Sequence, residues 1–431
     1  MIKLPVLAQS RWLRFGVFTS YYLLQGLPWG VCVVALPAWF IMKGMAIESV
    51  ASFSAVTALP WTLKLVVGPL MDRYSFLPMG MRRPWIIGAQ AMMLLTCCSL
   101  FFITDPIGQF WWLMVICTIM NVFAATEDVA VDGLAITIIP ENERGRANAF
   151  MGSGQLLGIS ITGAAAVALL NSWGITAVAI FLVAIVTILL VISISIRERT
   201  GERFLPWTKG EANPDMVAPT GSLFVLFKDL FKALLLPMSI VIIIVTFTHR
   251  LHAGIIKIWF PDIAINGFGY TDGNYANWKG ITTVVGALIG LLFGPVIDRI
   301  GARKVFSVTL LVTTLWYLLL FLLVNMLEHP FMAALFFLID SLTLTLLFIS
   351  YIAVGMTLCR VKIAATQFAC YMALANFGMA VGSGIYPSVI NLTGLTNVSL
   401  VLAAIFAFCW AVMWIFDLDR HKGDLARLEN S

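Results

Sequence analysis

The chain has 431 residues, of which 60% are hydrophobic and only 11% are charged. A soluble domain carries about 25% charged residues, so this composition excludes an ordinary soluble protein and indicates an integral membrane protein. Although the net charge is +5, the basic residues form no patch of the kind that binds nucleic acid, and we expect no nucleic-acid partner.

Apolar spans of about 20 residues recur along the whole chain, and each is long enough to cross a hydrocarbon core of about 30 Å. The first span runs far past the length of a signal-peptide core and has no small-residue cleavage site, so we expect it to be retained as a helix. We predict twelve spans, near residues 13–41, 48–71, 86–104, 110–139, 148–170, 174–196, 235–265, 275–297, 305–327, 330–358, 366–390 and 395–416.

The distribution of basic residues predicts the orientation of the chain in the membrane. Of the 27 Lys and Arg residues, only Lys43 falls in a predicted outside loop, and Lys64, Arg250, Lys257 and Lys279 fall within spans. All the others lie in segments that are cytoplasmic if the N-terminus is cytoplasmic. Because cytoplasmic loops are enriched in Lys and Arg, we expect both termini in the cytoplasm.

The first span carries a polar stripe. Tyr21, Gln25 and Trp29 follow one another at four-residue spacing, which puts them on one helix face. Hydrogen-bonding aromatics and an amide near the membrane midplane suit the wall of a solute-binding cavity. Ordinary helix packing explains the stripe as well, above all for Trp29, and the spacing leaves both interpretations open.

A short motif at the end of the second span occurs again at the end of the eighth. GPLMDRY at 68–74 recurs as GPVIDRI at 294–300, 226 residues further along, and basic residues follow both copies. The repeat predicts two related six-helix halves. The predicted segments are an N-terminal half at 1–196, a cytoplasmic linker at 197–234, a C-terminal half at 235–416 and a cytoplasmic tail at 417–431.

Three carboxylates, Glu127, Asp128 and Asp132, interrupt the apolar fourth span. Asp128 and Asp132 are four residues apart and share a helix face, whereas Glu127 is turned about 100° away. At 1.5 Å per residue, Asp128 lies about 16 Å and Asp132 about 10 Å from the inner end of the span. Because an unpaired carboxylate in hydrocarbon costs several kcal/mol, these groups must face protein or a water-filled cavity.

Each carboxylate has a functional and a structural interpretation. Asp128 or Glu127 can act as a proton-binding switch, whereas Asp132 lies near the basic motif and fits an ion pair that braces the helices. Lys64 of the second span lies at a depth similar to that of Asp132, so we expect these two to pair; the alternative is that Lys64 reaches the inner headgroups. Glu127 is either a second protonation site or a carboxylic acid kept neutral.

In the linker, residues 197–222 are polar and contain Pro and Gly. The next segment, 223–236, places three Phe on one stripe and two Lys on another, which is typical of a helix lying on the inner leaflet. The beginning of the seventh span explains this segment equally well.

The seventh span carries Arg250 near the membrane midplane, the depth at which transporter substrate sites are expected. A guanidinium group can hold a carboxylate or phosphate through two hydrogen bonds, so Arg250 is a candidate for anion recognition. The alternative is a salt bridge to Asp340 in the tenth span, and both hold if solute displaces Asp340. His249 and His252 lack a third ligand nearby, so we expect no metal site.

The motifs resemble those of one transporter family over the whole chain. Twelve spans in two halves, with Gly-x-x-x-Asp-Arg after spans two and eight, resemble the major facilitator superfamily. Within it, residues 59–85, 125–136 and 364–374 are similar to the branch of the AmpG muropeptide permeases and acetyl-coenzyme A transporters. That branch commonly has Gln-Asp where this chain has Glu127-Asp128.

The resemblance implies an all-α integral membrane protein with the major facilitator fold. Together with the charge pattern it assigns the repeated motif to cytoplasmic networks that hold the two halves together in the outward-facing state. The gating residues so implied are Gly68, Asp72, Arg73, Arg82, Arg83, Gly294, Asp298, Arg299 and Arg303.

These features favour a monomeric secondary transporter that moves a small, anionic organic solute by alternating access, coupled to protons through Glu127, Asp128 or Asp132. The candidate solute-binding residues are Arg250, Tyr21, Gln25, Lys64, Asp340 and Trp29. The resemblance implies import of a muropeptide, coenzyme A ester or siderophore across a bacterial cytoplasmic (inner) membrane.

The alternative function is a channel or lipid-moving membrane scaffold, which predicts a continuous polar stripe or a lateral apolar groove. The sequence has no nucleotide-binding loop, paired nucleophile and base, or metal triad. We therefore expect no enzyme activity and no cofactor, and partners limited to solute, protons and membrane lipids.

Overall fold

The computed structural model describes residues 5–62, 64–214, 222–264, 272–324, 326 and 329–429. The predicted linker residues 215–221, residue 265 at the end of predicted span seven, and residues 325 and 327 at the end of predicted span nine lie outside the described residues. The described residues form fifteen α-helices and no named β-strand, in agreement with the all-α prediction. The helices are α1 Arg11–Trp29, α2 Leu36–Met42, α3 Ile47–Ala58, α4 Lys64–Arg73, α5 Arg83–Ser99, α6 Phe110–Ile138, α7 Arg144–Ser195, α8 Leu223–Leu234, α9 Pro237–Asp262, α10 Asp272–Ile300, α11 Ala302–Leu323, α12 Pro330–Thr357, α13 Ala364–Thr393, α14 Val398–Met413 and α15 Leu418–Glu429.

Within the described residues, nine helical segments are long and apolar enough to cross a membrane, or ten if the bent pair α14 and α15 forms one span. One of the nine includes α7, which is 52 residues long and breaks at Gly174, where φ is +74°. Only glycine adopts this backbone conformation readily. The break separates the predicted fifth and sixth spans, and the total of twelve spans stays a prediction.

By internal contacts the chain divides into two compact units. Unit 1 comprises Met1–Pro140, Phe150–Lys228 and Val361–Ala369, and unit 2 comprises Glu141–Ala149, Asp229–Arg360 and Cys370–Ser431. Each unit thus includes a short segment from the other half of the sequence. The segment boundaries that the repeat predicts remain predictions.

In unit 1, α6 is the central helix, because it packs against α1, α3, α4 and α5. Its first turns join an apolar core that includes Phe40, Phe53, Cys97 and Leu113, all fully buried. The polar second part of α6 is also buried, which brings its three carboxylates against neighbouring helices.

Each unit contains a close helix contact through glycine, and the two contacts involve equivalent pairs of helices. In unit 1, a Cβ atom at Gly158 of α7 would clash with the carbonyl oxygen of Leu23 in α1. In unit 2, a Cβ atom at Gly382 of α13 would clash in the same way with Leu251 of α9. Close backbone approach through small residues is the usual basis of helix packing in membranes. The shared pairing pattern agrees with the sequence repeat.

In unit 2, α11 packs against α12 and α14, and α9 packs against α14 and α15. Aromatic rings fill the space between these helices. Trp259 and Phe260 of α9 contact Phe336 of α12, and Tyr317 of α11 stacks on Phe406 of α14. Aromatic rings therefore form a substantial part of the core of unit 2.

The short helix α8 has two different apolar faces. Leu226, Leu230 and Ala233 are buried, whereas the predicted stripe of Phe224, Phe227 and Phe231 is exposed, as are Lys228 and Lys232. An exposed face of this composition supports the predicted location at the lipid headgroups, which stays a prediction.

Candidate functional site

Lys64 and Asp128 form a buried ion pair between α4 and α6. The ammonium group of Lys64 donates to Asp128 Oδ2 and lies 4.7 Å from the ring centre of Trp61. The predicted pair of Lys64 with Asp132 is wrong. Asp128 and Asp132 lie one turn apart on the same face of α6, a separation of about 6 Å that the long lysine side chain can span, so a similar depth in the membrane does not decide which of them is the partner.

Asp132 instead faces α1. Tyr22 Oη donates to Asp132 Oδ1 at 2.5 Å, and both side chains are buried. Tyr22 follows Tyr21 directly in the sequence, but only Tyr21 lies on the predicted polar stripe of α1. Asp132 therefore links α6 to α1 through a tyrosine, in place of the ion pair that was predicted to brace the helices.

Glu127 faces α5. Gln90 Nε2 donates to Glu127 Oε1 at 2.8 Å, and both side chains are fully buried. The other carboxylate oxygen of Glu127 and the amide oxygen of Gln90 have no hydrogen-bond partner. The three carboxylates of α6 therefore contact three different helices: Glu127 contacts α5, Asp128 contacts α4 and Asp132 contacts α1.

The predicted stripe of α1 lies close to this cluster. Tyr21 and Gln25 are buried, and Trp29 is half-buried with its ring 5.5 Å from that of Trp61. Neither amide atom of Gln25 has a hydrogen-bond partner. Because buried amides are nearly always hydrogen-bonded, Gln25 is a candidate to bind a ligand or water.

Arg250 is residue 14 of the 26 residues of α9, and its side chain is half-buried. Its Nη2 contacts Met379 Sδ at 3.5 Å, and its Nε has no partner. Among the described residues it does not pair with Asp340, so that alternative is not observed. The guanidinium group thus has hydrogen-bond donors left for an anion.

Asp340 belongs to a different buried chain of hydrogen bonds in unit 2. Tyr317 Oη donates to Asp340 Oδ1 at 2.8 Å, and His252 Nε2 lies 2.7 Å from the same hydroxyl. Because the single hydroxyl proton is donated to Asp340, His252 must donate from Nε2 to the tyrosine oxygen. All three side chains are buried. His249, by contrast, contacts the carbonyl oxygen of Thr246.

The first copy of the repeated motif binds the beginning of α13, within unit 1. Asp72 pairs with Arg82, and its Oδ2 accepts from the backbone N–H of Thr366 at 2.8 Å and from its hydroxyl at 2.6 Å. A Cβ atom at Gly68 would lie 2.9 Å from Thr366 Cα, so only glycine permits this approach. The neighbouring Arg73 lies over the ring of Tyr74 instead.

The second copy binds the beginning of α7, within unit 2. Asp298 accepts from the backbone N–H groups of Gly145 at 2.6 Å and Arg146 at 3.3 Å, and from Arg146 Nε at 2.5 Å. A Cβ atom at Gly294 would lie 2.8 Å from Arg146 Cα. Each aspartate therefore accepts N–H groups in the first turn of a helix, where the helix dipole favours a negative charge.

The remaining predicted basic residues do not contact these aspartates. Arg299 is exposed, and Arg303 lies over the ring of Phe416 at 5.8 Å. The guanidinium group of Arg83 donates to the carbonyl oxygens of Arg203 and Phe204, both at 2.8 Å. Arg83 therefore holds the linker against the beginning of α5.

Two linker glutamates complete this contact. Glu198 accepts from the backbone N–H groups of Met81, Arg82 and Arg83 at 3.0, 2.7 and 2.5 Å, which caps α5 from outside the helix. Glu202 is buried beside it and accepts from the N–H of Glu198 at 2.9 Å. Burial, and then the charge of Glu198, raise the pKa of Glu202 to about 7.

Several contacting residues were not predicted from the sequence. Gln90 is a polar residue in an apolar span, the same signal that identified the carboxylates. Arg146 and Thr366 each occupy the third position of a helix that follows a 3₁₀ turn, and this equivalence could have suggested them. Tyr22 and Tyr317 give no distinctive signal in the sequence.

Comparison with known proteins identifies the family. The model of the Major Facilitator Superfamily matches residues 18–383. The anhydromuropeptide permease of Escherichia coli K12 is 25% identical over 362 residues, which cover 82% of this chain and 70% of the permease. A putative AmpG transporter of Rickettsia conorii is 25% identical over 305 residues, 67% of this chain and 68% of the relative.

Solved structures share the fold. The human organic anion transporter MFSD10 (TETRAN) has a TM-score of 0.68 at 14% identity, covering 94% of this chain and 100% of that protein. A bacterial homologue of the iron transporter ferroportin, in the outward-facing state, has a TM-score of 0.64 at 12% identity. The match covers 94% of this chain and 98% of that protein. This likeness shows the fold alone. Because the family model matches most of the chain, the protein belongs to the Major Facilitator Superfamily and is a multi-pass membrane transporter, not an enzyme.

Proposed function

We propose that this transporter imports a small, anionic organic solute together with protons by alternating access. The observation that carries the proposal is the environment of Arg250. Its half-buried guanidinium group lies in the middle of α9 and, among the described residues, contacts a thioether and no carboxylate. A cation inside the membrane needs a counter-charge, and a solute carboxylate or phosphate supplies one.

The solute class we favour is an anhydro-muropeptide. Two relatives that match most of this chain are named as an anhydromuropeptide permease and a putative AmpG transporter. The peptide carboxylates of such a solute fit the fork of Arg250, which can donate two parallel hydrogen bonds. In unit 1, the unpartnered amide of Gln25 is a separate candidate contact for a polar solute.

Proton coupling is assigned to the carboxylates of α6. All three are buried, and among the described residues only Asp128 forms an ion pair. Buried carboxylates are expected to bind and release protons when their access to water changes. With both termini in the cytoplasm of a bacterial cell, protons and solute would enter together across the inner membrane.

Gating is assigned to the repeated motif. Asp72 and Asp298 each cap the first turn of a helix through backbone N–H groups. Such contacts are made only while the helix beginning lies against the motif, so they favour one conformation over others. Their loss would shift the conformational population and leave solute recognition in place.

Uptake into proteoliposomes tests this function. Labelled anhydro-muropeptide should accumulate inside above its external concentration when the outside is more acidic, and a protonophore should abolish the accumulation. Accumulation that survives dissipation of the proton gradient contradicts proton symport. Absence of any saturable uptake of this solute contradicts the proposed substrate class.

A further inference from the structure

Two fully buried side chains, Glu127 and Gln90, are joined by one hydrogen bond but leave one oxygen each without a partner. The bond runs from Gln90 Nε2 to Glu127 Oε1 at 2.8 Å. The unpartnered atoms are Glu127 Oε2 and Gln90 Oε1, and both side chains have zero exposed surface. A buried oxygen without a hydrogen-bond donor is unfavourable, and two such atoms on a bonded pair indicate that a proton lies between them.

We propose that Glu127 carries a proton in this conformation, closes a two-bond acid–amide pair with Gln90, and is the group that transfers the coupled proton. A proton on Glu127 Oε2 turns that atom into a donor toward Gln90 Oε1, and both unpartnered atoms are then satisfied. An ionised carboxylate has only acceptors, and rotating the amide by 180° merely changes which oxygen lacks a donor.

The surrounding charges favour the neutral acid. The titratable and charged side chains that the structure describes on α6 and on the helices packed against it, with Arg82 at the beginning of α5, are Arg11, Arg14, Tyr21, Tyr22, Lys64, Asp72, Arg73, Arg82, Arg83, Cys97, Cys98, Cys117, Asp128 and Asp132, besides Glu127 itself. The ammonium group of Lys64 pairs with Asp128, Arg82 pairs with Asp72, and Arg83 binds carbonyl oxygens. None of these buried cations pairs with Glu127.

Glu127 and Asp128 are adjacent in sequence but have different partners. Asp128 has Lys64 as its counter-ion, whereas Glu127 has an amide partner and can lose its proton only when water reaches the pair. In that step the O–H bond of Glu127 breaks, the proton passes to water, and the carboxylate remains to be protonated again from the other side. The assignment of transfer rests on the proposed proton coupling, but the protonated pair does not.

The transport test uses an isosteric substitution. Glu127→Gln replaces the acid O–H by an amide N–H, so it preserves both hydrogen bonds and mimics the protonated state. We expect solute exchange between equal internal and external pools to be retained, and accumulation driven by a proton gradient to fall to the level of the protonophore-treated protein. Glu211→Gln, at an exposed linker glutamate, serves as the control and should accumulate solute normally.

The reciprocal double variant Gln90→Glu with Glu127→Gln returns one acid to the pair from the opposite helix. It should restore gradient-driven accumulation at least in part, which a merely structural role of Glu127 does not predict. Normal accumulation by Glu127→Gln alone overturns the transfer role.

Infrared spectroscopy of the purified protein tests the proton without transport. At neutral pH the wild-type protein should show a carboxylic acid band that Glu127→Gln removes and that Gln90→Leu shifts, because the acid then loses its amide partner. If Glu127→Gln does not fold, the shift in Gln90→Leu identifies the band. A wild-type spectrum in which Glu127 contributes only carboxylate bands overturns the pair. An acid band without any gradient-driven uptake leaves the pair intact and contradicts the proposed function instead.

Discussion

Lys64 and Asp128 compensate each other inside the helix bundle, where either charge alone is unfavourable. Both side chains are buried, and the lysine also lies against the ring of Trp61. Removing one member of a buried ion pair typically destabilises a protein by about 3–5 kcal/mol, whereas replacing both members is often nearly neutral. The pair is thus a sensitive place to test the geometry of α4 and α6.

Lys64→Met should lower the melting temperature of the detergent-solubilised protein strongly, because Asp128 is left without a counter-charge. The double variant with Asp128→Asn should recover most of the loss, since no uncompensated charge remains. A double variant that is no more stable than Lys64→Met would contradict the observed pair. Lys64→Met with Asp132→Asn is the matched control and should not recover stability.

Arg250 is expected to act on solute affinity. A hydrogen bond to a charged group contributes about 1.5–3 kcal/mol, so Arg250→Ala should weaken binding of the anionic solute by about 10- to 100-fold. Arg250→Lys keeps the positive charge but not the two parallel hydrogen bonds, so its affinity for the solute should lie between those of the wild type and Arg250→Ala. Direct binding measurements decide this, with the highly exposed Arg427→Ala as control. Unchanged affinity in Arg250→Ala removes the proposed role.

The partners of individual residues were the least predictable part of the site. Spacing along α6 correctly separates Glu127 from the face of Asp128 and Asp132, because side-chain direction within one helix is fixed by its period. Spacing does not give the level of a neighbouring helix to within one turn, so it could not decide between Asp128 and Asp132 as the partner of Lys64. Contacts that need two helices in register therefore required the structure.

At the scale of helices, the repeated motif works as a cap for the first turn of a separate helix. Asp72→Asn keeps an acceptor for the N–H of Thr366 but removes the charge that pairs with Arg82 and favours the dipole of α13. We expect faster amide hydrogen exchange in the first turn of α13 and unchanged solute affinity. Asp105→Asn, an exposed loop aspartate, is the control. Equal exchange in both variants contradicts the capping role.

The linker carries a pH-dependent contact. The pKa of Glu202 is raised to about 7 from an ordinary value of 4.5, so the folded linker binds this proton more tightly than the unfolded one. Its stabilising contribution is full below pH 4.5 and is lost as the pH rises through 7.

Tryptic cleavage at the exposed Lys209 measures this effect. The ratio of wild-type to Glu202→Gln cleavage rates should rise between pH 6 and pH 8.5, because only the wild type loses a proton at residue 202. Comparing the two proteins at each pH removes the pH dependence of trypsin itself. A ratio that stays constant over this range contradicts the shifted pKa.

The elements themselves were largely predictable. Long apolar runs and the basic segments between them locate the helices, because the bilayer demands about 20 apolar residues for each crossing. The motif repeat indicated two related halves. The reciprocal placement of the loops was not predictable, since residues 361–369 belong to unit 1 and residues 141–149 to unit 2 through contacts that are remote in sequence.

At the scale of the whole molecule, the two units share the same structural features but differ in their buried polar residues. Both have a close glycine contact between equivalent helices and an aspartate that caps a helix beginning. Unit 1 holds the three carboxylates and Lys64, whereas unit 2 holds Arg250 and the hydrogen-bonded His252, Tyr317 and Asp340. This asymmetry fits a division between proton binding in unit 1 and solute recognition in unit 2.

Solute-driven proton movement tests the central claim most directly. Proteoliposomes that contain the purified protein and an internal pH indicator would be given anhydro-muropeptide outside, with no imposed pH gradient and with the membrane potential clamped. Symport predicts that the lumen acidifies as the solute enters, at a rate that saturates with solute and is absent from protein-free liposomes. Entry of the solute without any change in internal pH would contradict proton coupling.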